Sequence, residues 1–283
     1  MKKAFALILG LLISTTSFSQ ETKKIDSSKY IIEYQYKYLR DTTDLASIKS
    51  RNMVLIVGKE YSRFSNKYYA VWDSVLYVYP PSQMSKAINE FTSQHIKKTG
   101  ASSWADQFKV IKNYPSKGNN LLYCYSSCQK ENYGSRNKEV FDWELINGSD
   151  SLIMGHHCMK AVCEKKHRKY IAWFSPEIPI DEGPYKFYGL PGLIMKIKDS
   201  KGYHDFEITG IRKDDKTPVL MYSDNIKELS IDGFVDMWRR DILYNYKCYG
   251  GKSTNLKIEW NNAETESRIL HDLRTSNNFI EPL

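Results

Sequence analysis

Two stretches of this sequence gather side chains that could do chemistry. The first holds His156, His157, Cys158, Cys163 and His167, the only cluster of soft metal ligands in the 283-residue chain. Successive side chains of an extended strand point to opposite faces, so His156 and Cys158 share one face while His157, Cys163 and His167 fall on the other. A compact tetrahedral site needs its ligands on one side, so no metal or other cofactor is expected here. The second stretch carries Glu177, Asp181 and Glu182 beside Trp173, Tyr185 and Phe187, with His204 further along. Carboxyls on a stiff loop next to an indole are the material of acid–base catalysis, as in an envelope hydrolase using Glu177 and its neighbouring acids. A structural reading competes with it. Pro176 and Pro179 supply no amide hydrogens, so Glu177 would be satisfied by the amides of Ile178 and Ile180 or by a cation such as Arg168. Trp173, Glu177, Tyr185 and Phe187 are therefore candidate binding residues, and no residue is nominated as catalytic.

Other signatures fail on spacing. Gly251-Lys252-Ser253-Thr254 resembles the end of a phosphate loop, but the first glycine such a loop requires would fall at Tyr246. The chain has no G-x-S-x-G elbow, H-E-x-x-H helix or C-x-x-C pair.

The elements that would position these residues follow from periodicity. Between Trp173 and Ile194 four prolines and three glycines set the backbone, and Leu190-Pro191-Gly192-Leu193 suits a type II turn. Before it, Tyr30 to Leu39 alternates, with Ile32, Tyr34, Tyr36 and Tyr38 on one face and Glu33, Gln35 and Lys37 on the other. Strands are predicted there and at 53–57, 68–79, 120–126, 140–146, 153–163, 168–174, 193–198 and 203–212. Helices are predicted from Ser82, through Met84, Ile88 and Phe91, and from Ser230, through Ile231, Phe234, Val235, Trp238 and Ile242. The expected architecture is mainly β: a curved antiparallel sheet or half-barrel with two packed helices, in one domain over residues 20–283.

Gly189-Leu190-Pro191-Gly192-Leu193-Ile194 resembles the name-giving hexapeptide of the GLPGLI family of exported bacterial envelope proteins. Ala172-Trp173-Phe174, Pro176-Glu177-Ile178-Pro179 and Gly183-Pro184-Tyr185-Lys186-Phe187 are similar to the pattern preceding it, as are Trp143 and Gly155-x-x-Cys158-x-Lys160-Ala161 upstream. Asn52-Met53-Val54-Leu55 and Asn278-Phe279-Ile280-Glu281 resemble the family's two ends. His156 stands where the family has an aromatic Tyr. The resemblance implies a signal-bearing protein of diderm bacteria with no assigned activity and no established catalytic residue. By analogy it also implies a sheet with helices on its concave side, as in periplasmic lipoprotein carriers.

The ends agree with export. Lys2 and Lys3, the apolar run from Ala4 to Ile13, and Ser17-Phe18-Ser19 predict a signal peptide over residues 1–19, with no cysteine following to accept a lipid. The mature chain would begin at Gln20 in the periplasm or outer envelope, carrying 39 basic against 33 acidic residues. A net charge of +6 favours anionic surfaces and offers no nucleic-acid motif. Cys124, Cys128, Cys158, Cys163 and Cys248 would meet an oxidising compartment, so one or two disulfides are expected, with at least one thiol left free or paired with another molecule. The 21 tyrosines supply apolar area with a polar tip, which suits a non-enzymatic binding or assembly protein for a lipidic, peptide or glycan ligand or an outer-membrane protein partner.

Overall fold

A computed structural model describes residues 22–80, 82–83, 86–87, 90, 108–126, 129, 131–222, 225–250, 267, 271, 278 and 280. The signal segment lies outside them. Of the helix expected from Ser82, only Ser82, Gln83, Lys86, Ala87 and Glu90 are described, and each is helical.

The protein is mainly β. Among the described residues thirteen strands form one open sheet, antiparallel except at one end. In chain order they are β1 (Thr22–Leu39), β2 (Ile48–Gly58), β3 (Ser62–Asn66), β4 (Lys109–Lys112), β5 (Asn119–Ser126), β6 (Glu131–Lys138), β7 (Glu144–Ile153), β8 (His156–Lys165), β9 (Arg168–Ser175), β10 (Leu193–Asp199), β11 (His204–Lys213), β12 (Pro218–Tyr222) and β13 (Ile226–Glu228). Across the sheet they run β13-β6-β5-β4-β3-β2-β1-β11-β10-β9-β8-β7, with β12 on the first part of β1. The alternation read in β1 sets its two faces: Ile32, Tyr34 and Tyr36 enter the main core, whereas Ile31 joins a smaller cluster behind the sheet.

Two α-helices are described from end to end, α1 (Lys67–Val78) and α2 (Ile231–Gly250). α2 starts as its sequence indicates, Ser230 Oγ accepting the Gly233 amide at 3.1 Å, and buries Phe234, Met237 and Trp238 in the main core. α1 overturns the strand expected at 68–79. Its Tyr, Val and Trp residues favour strand, but Asn66 Oδ1 caps the Tyr68 amide at 2.9 Å, and one helical turn puts Ala70 and Asp73 on the buried face. Asp73 there pairs with Arg63 and with Lys109, 3.2 Å away. Burial pulls Lys109 down to about 8, with Arg63 adding to that effect and Asp73 opposing it. Since Ala70 packs with Ile31, α1 lies on the face opposite α2.

Cys124, Cys158 and Cys163 are free and buried in the main core, so no expected disulfide is present among the described residues; Cys128 and the Cys248 side chain lie outside them. Nor does β8 keep the strict alternation assumed for it. Cys158, Ala161 and Cys163 all face inward, the phase changing opposite the irregularity in β7 between Ile146 and Ser151. Burial raises the thiol of Cys158 to about 11 and that of Cys163 to about 12, leaving little reactive thiolate. In a chain carrying Cys128→Ser and Cys248→Ser, a thiol reagent is expected to label the three core cysteines only on unfolding. Fast stoichiometric labelling of the native protein would contradict this burial.

Candidate functional site

The connection from β9 to β10 accounts for its own backbone. Ile178 N donates to Ser175 O, Ile180 N to Ile178 O, Glu182 N to Ile180 O and Phe187 N to Pro184 O, while Leu193 N returns to Ile178 O and Ile194 N to Glu182 O, both at 3.0 Å. The expected type II turn is absent. Gly192 N donates to Leu190 O at 2.7 Å, a three-residue γ-turn centred on Pro191, because Leu193 N is already committed to Ile178. The Ile178 and Ile180 amides are spent in the same way, so neither serves Glu177.

The centre of this loop is pinned from below by an ion pair. Lys112, 1% exposed, donates to Glu182 Oε2 at 2.8 Å, Gly183 O at 2.6 Å and Phe187 O at 3.0 Å, which uses all three ammonium hydrogens. Glu182, 6% exposed, receives the Ser62 hydroxyl on Oε1 at 2.7 Å. Ser62 and Lys112 meet because β3 and β4 pair them directly across the ladder. Burial lowers the Lys112 pKa, with Glu182 pulling the other way. Next to them Tyr34 Oη donates to Ile194 O at 2.8 Å, and burial together with the Glu182 charge raises that phenol well above its usual range.

Ser62 and Glu182 form the floor of an open cleft of about 470 Å³. Its walls are the β2–β3 turn at Gly58–Tyr61, the β4–β5 turn with Asn113 and Lys117, and the loop at Ile180, Asp181 and Tyr188. Each wall is fixed by a side chain. Asp26 accepts the amides of Glu60 at 2.7 Å and Tyr61 at 3.1 Å; burial acts against its charge, but the turn amides win and its pKa is lowered. Asn113 Oδ1 holds the Gly118 amide at 2.9 Å across a turn containing the cis Tyr114–Pro115 bond. Asp181 Oδ1 accepts the Gly189 amide at 2.5 Å, and Trp143 Nε1 donates to Tyr188 O at 2.9 Å.

The residues singled out from sequence are dispersed. Tyr185 and Phe187 are core residues packed on Phe108 and Tyr170. Trp173 lies half-buried on the opposite face of β9 from the core residue Phe174, flanked by the ammonium groups of Lys160 and Lys198 at 5.8 and 5.9 Å from its ring centre. The Glu177 side chain, 54% exposed, meets neither a backbone amide nor Arg168; its Oε2 lies 3.0 Å from His156 Nδ1. Arg168 reaches Asn278 instead. His204 is buried between Tyr36 Oη at 2.7 Å and Asn278 Oδ1 at 3.1 Å. Because Asn278 Nδ2 donates to Leu39 O, its Oδ1 must accept, so His204 carries a proton on Nε2. Of the proposed acids only Asp181 and Glu182 share the cleft. Its partners Ser62, Lys112, Asp26 and Asn113 were not singled out in the sequence. Among the described residues no group of His, Cys, Asp and Glu is placed to hold a metal, and no helix is long and apolar enough to cross a membrane.

The fold and site define a broad β-sheet protein with a rigid, polar cleft walled by a Pro/Gly loop. Residues 83–196 match the model of a family described as a protein of unknown function (Porph_ging). This segment includes β4 to β9, the whole loop and Lys112. No curated protein matches the sequence. Two solved structures of PNGF-II, in C2 and P21 space groups, superpose with TM-scores of 0.47 and 0.48 at 14% identity, covering 76% of this chain. The chain spans about a third of the length of those proteins, 33% and 34%.

Proposed function

We propose that the protein is an exported envelope protein of the GLPGLI type that binds a small polar ligand, a glycan or peptide, in the cleft between its two hairpin turns and the Pro/Gly loop, without chemical turnover. The observation that carries this reading is the saturation of the cleft floor. Lys112 has no free hydrogen, Glu182 is held by Lys112 and Ser62, and all three are almost wholly buried. A general acid or nucleophile must reach its substrate, and these groups hold the loop instead. The walls offer Asp181, Lys117, Asn113, Tyr61 and Tyr188, a polar set with aromatic edges that suits sugar hydroxyls or peptide groups better than acyl chains.

The test is native mass spectrometry of the mature chain exported in a diderm host, beside Lys117→Trp, which fills the cleft from an exposed position. A non-covalent adduct of fixed mass, present in the parent and absent from the variant, is expected. An adduct unaffected by Lys117→Trp would overturn the assignment to this cleft. Conversion of the bound species to product, stopped by Glu177→Gln, would replace binding with hydrolysis.

A further inference from the structure

The two faces of the sheet are covered unequally. On the face behind the main core, Ala70 of α1 and Val219 of β12 pack on Ile31, Val54 and Ile56 of β1 and β2. Farther along that face, over β8 to β11, the described residues place no helix. There the ladder registers align one row of side chains across six strands: Lys160, Trp173, Lys196, Glu207, Gln35 and Asn52. At strand spacing the row is about 24 Å long. Lys198 stands beside it, paired across the ladder with Asp205.

The charges along this row are not balanced. Lys196 is neutralised by Glu207 at 2.6 Å, with Asp205 4.0 Å away. Lys160 and Lys198 have no carboxylate within ion-pairing distance among the described residues, and both lie over the Trp173 ring. A partly exposed indole, packed on the main core at one side and set between two ammonium groups that make no ion pair among the described residues, is complementary to a ligand that combines a flat apolar face with a negative charge. Gln35 and Asn52 continue the row with neutral amides, which are partners for hydroxyl groups.

We propose that this open face binds an acidic polysaccharide, with Trp173 stacking on a sugar ring and Lys160 and Lys198 meeting uronate carboxylates. A sugar chain fits the row better than an anionic bilayer does. Asp205, Glu207, Gln35 and Asn52 can each bond a sugar hydroxyl, which lipid tails do not offer, and the row has the length of several sugar residues. This site is separate from the cleft and does not rest on it.

Isothermal titration of the mature chain with octagalacturonate, and with neutral maltooctaose as control, tests the proposal. Binding of the acidic oligomer only is expected. Trp173→Ala and the double variant Lys160→Gln/Lys198→Gln should each weaken it at least tenfold, Trp173→Phe should keep most of it, and Lys117→Trp in the cleft should leave it unchanged. The lysine pair is on the surface, so its effect is readable even if Trp173→Ala folds poorly. Equal affinity for the neutral oligomer, or unchanged affinity in the lysine variant, would overturn the proposal. So would equal dependence on Trp173 and the lysines when phosphatidylglycerol vesicles or duplex DNA replace the sugar, which would mark a merely cationic surface.

Discussion

Replacing Lys112 by methionine is expected to destabilise the protein by about 3–5 kcal/mol, the cost of breaking a buried ion pair by removing one partner. The side chain keeps its volume, so the loss is electrostatic and not a cavity. It strands the Glu182 carboxylate with Ser62 alone and leaves the Gly183 and Phe187 carbonyls without the ammonium that now serves them. For a domain stable by about 5–15 kcal/mol this is a large fraction. The pH dependence should reveal its origin. A buried carboxylate without its cation gains from protonation, so its folded pKa rises above the unfolded value. The native state then binds more protons than the unfolded state between those two values, and the variant regains stability as pH falls through that window. Adding Glu182→Leu removes the stranded charge and should recover much of the loss, since buried pairs are often replaceable by apolar groups of similar size. Urea midpoints of parent, single and double variants at pH 5 and pH 8 check all three points. A Lys112→Met loss below about 1 kcal/mol at pH 8 would mean that the pair does not anchor the loop.

The sequence made some of this legible for physical reasons that differ by element. β1 could be read because from Ile32 to Tyr38 one face carries Ile32, Tyr34, Tyr36 and Tyr38 and the other Glu33, Gln35 and Lys37, so period and burial agree there. The Pro/Gly loop could be read because proline and glycine act on the backbone directly, whatever packs around them. β3 (Ser-Arg-Phe-Ser-Asn) and β6 (Glu-Asn-Tyr-Gly-Ser-Arg-Asn-Lys) escaped notice. β3 is buried throughout and β6 over much of its length, yet most of their side chains are polar, and some are held by partners outside the strand, such as Asp73 for Arg63 and Glu182 for Ser62. α1 was misread for the converse reason: a cap on Asn66 and one buried carboxylate outweigh a run of strand-favouring side chains. Lys112 was invisible because a lysine ending a short strand reads as a solvated one. Only the loop folding back, 70 residues later, shows that it is enclosed. The strict alternation used to sort His156 to Cys163 fails where β7 bulges, which local sequence does not announce.

Gly192→Ala is expected to cost about 2–4 kcal/mol, the sum of backbone strain and overpacking. Gly192 has φ +149°, a conformation L side chains rarely adopt, and a Cβ built there would lie 2.1 Å from the Ser175 carbonyl oxygen and 2.6 Å from its carbon. Neither atom can yield easily. Ser175 is the last residue of β9, paired with Leu193 and also accepting the Ile178 amide that begins the loop. The γ-turn therefore presses the end of the loop against its own start, and only hydrogen fits between. Gly189 in the same hexapeptide makes an instructive control. It has φ +94°, but its Cβ would meet nothing closer than Trp143 at 3.6 Å, so Gly189→Ala should cost the strain of about 1–3 kcal/mol without the clash. A denaturant series on the two variants separates the contributions. Because the clash would push the loop off β9, Gly192→Ala should also loosen Glu182 and lose any ligand of the cleft, whereas Gly189→Ala should retain it. Equal midpoints for the two variants would mean that strain alone, and not the contact with Ser175, fixes glycine at position 192.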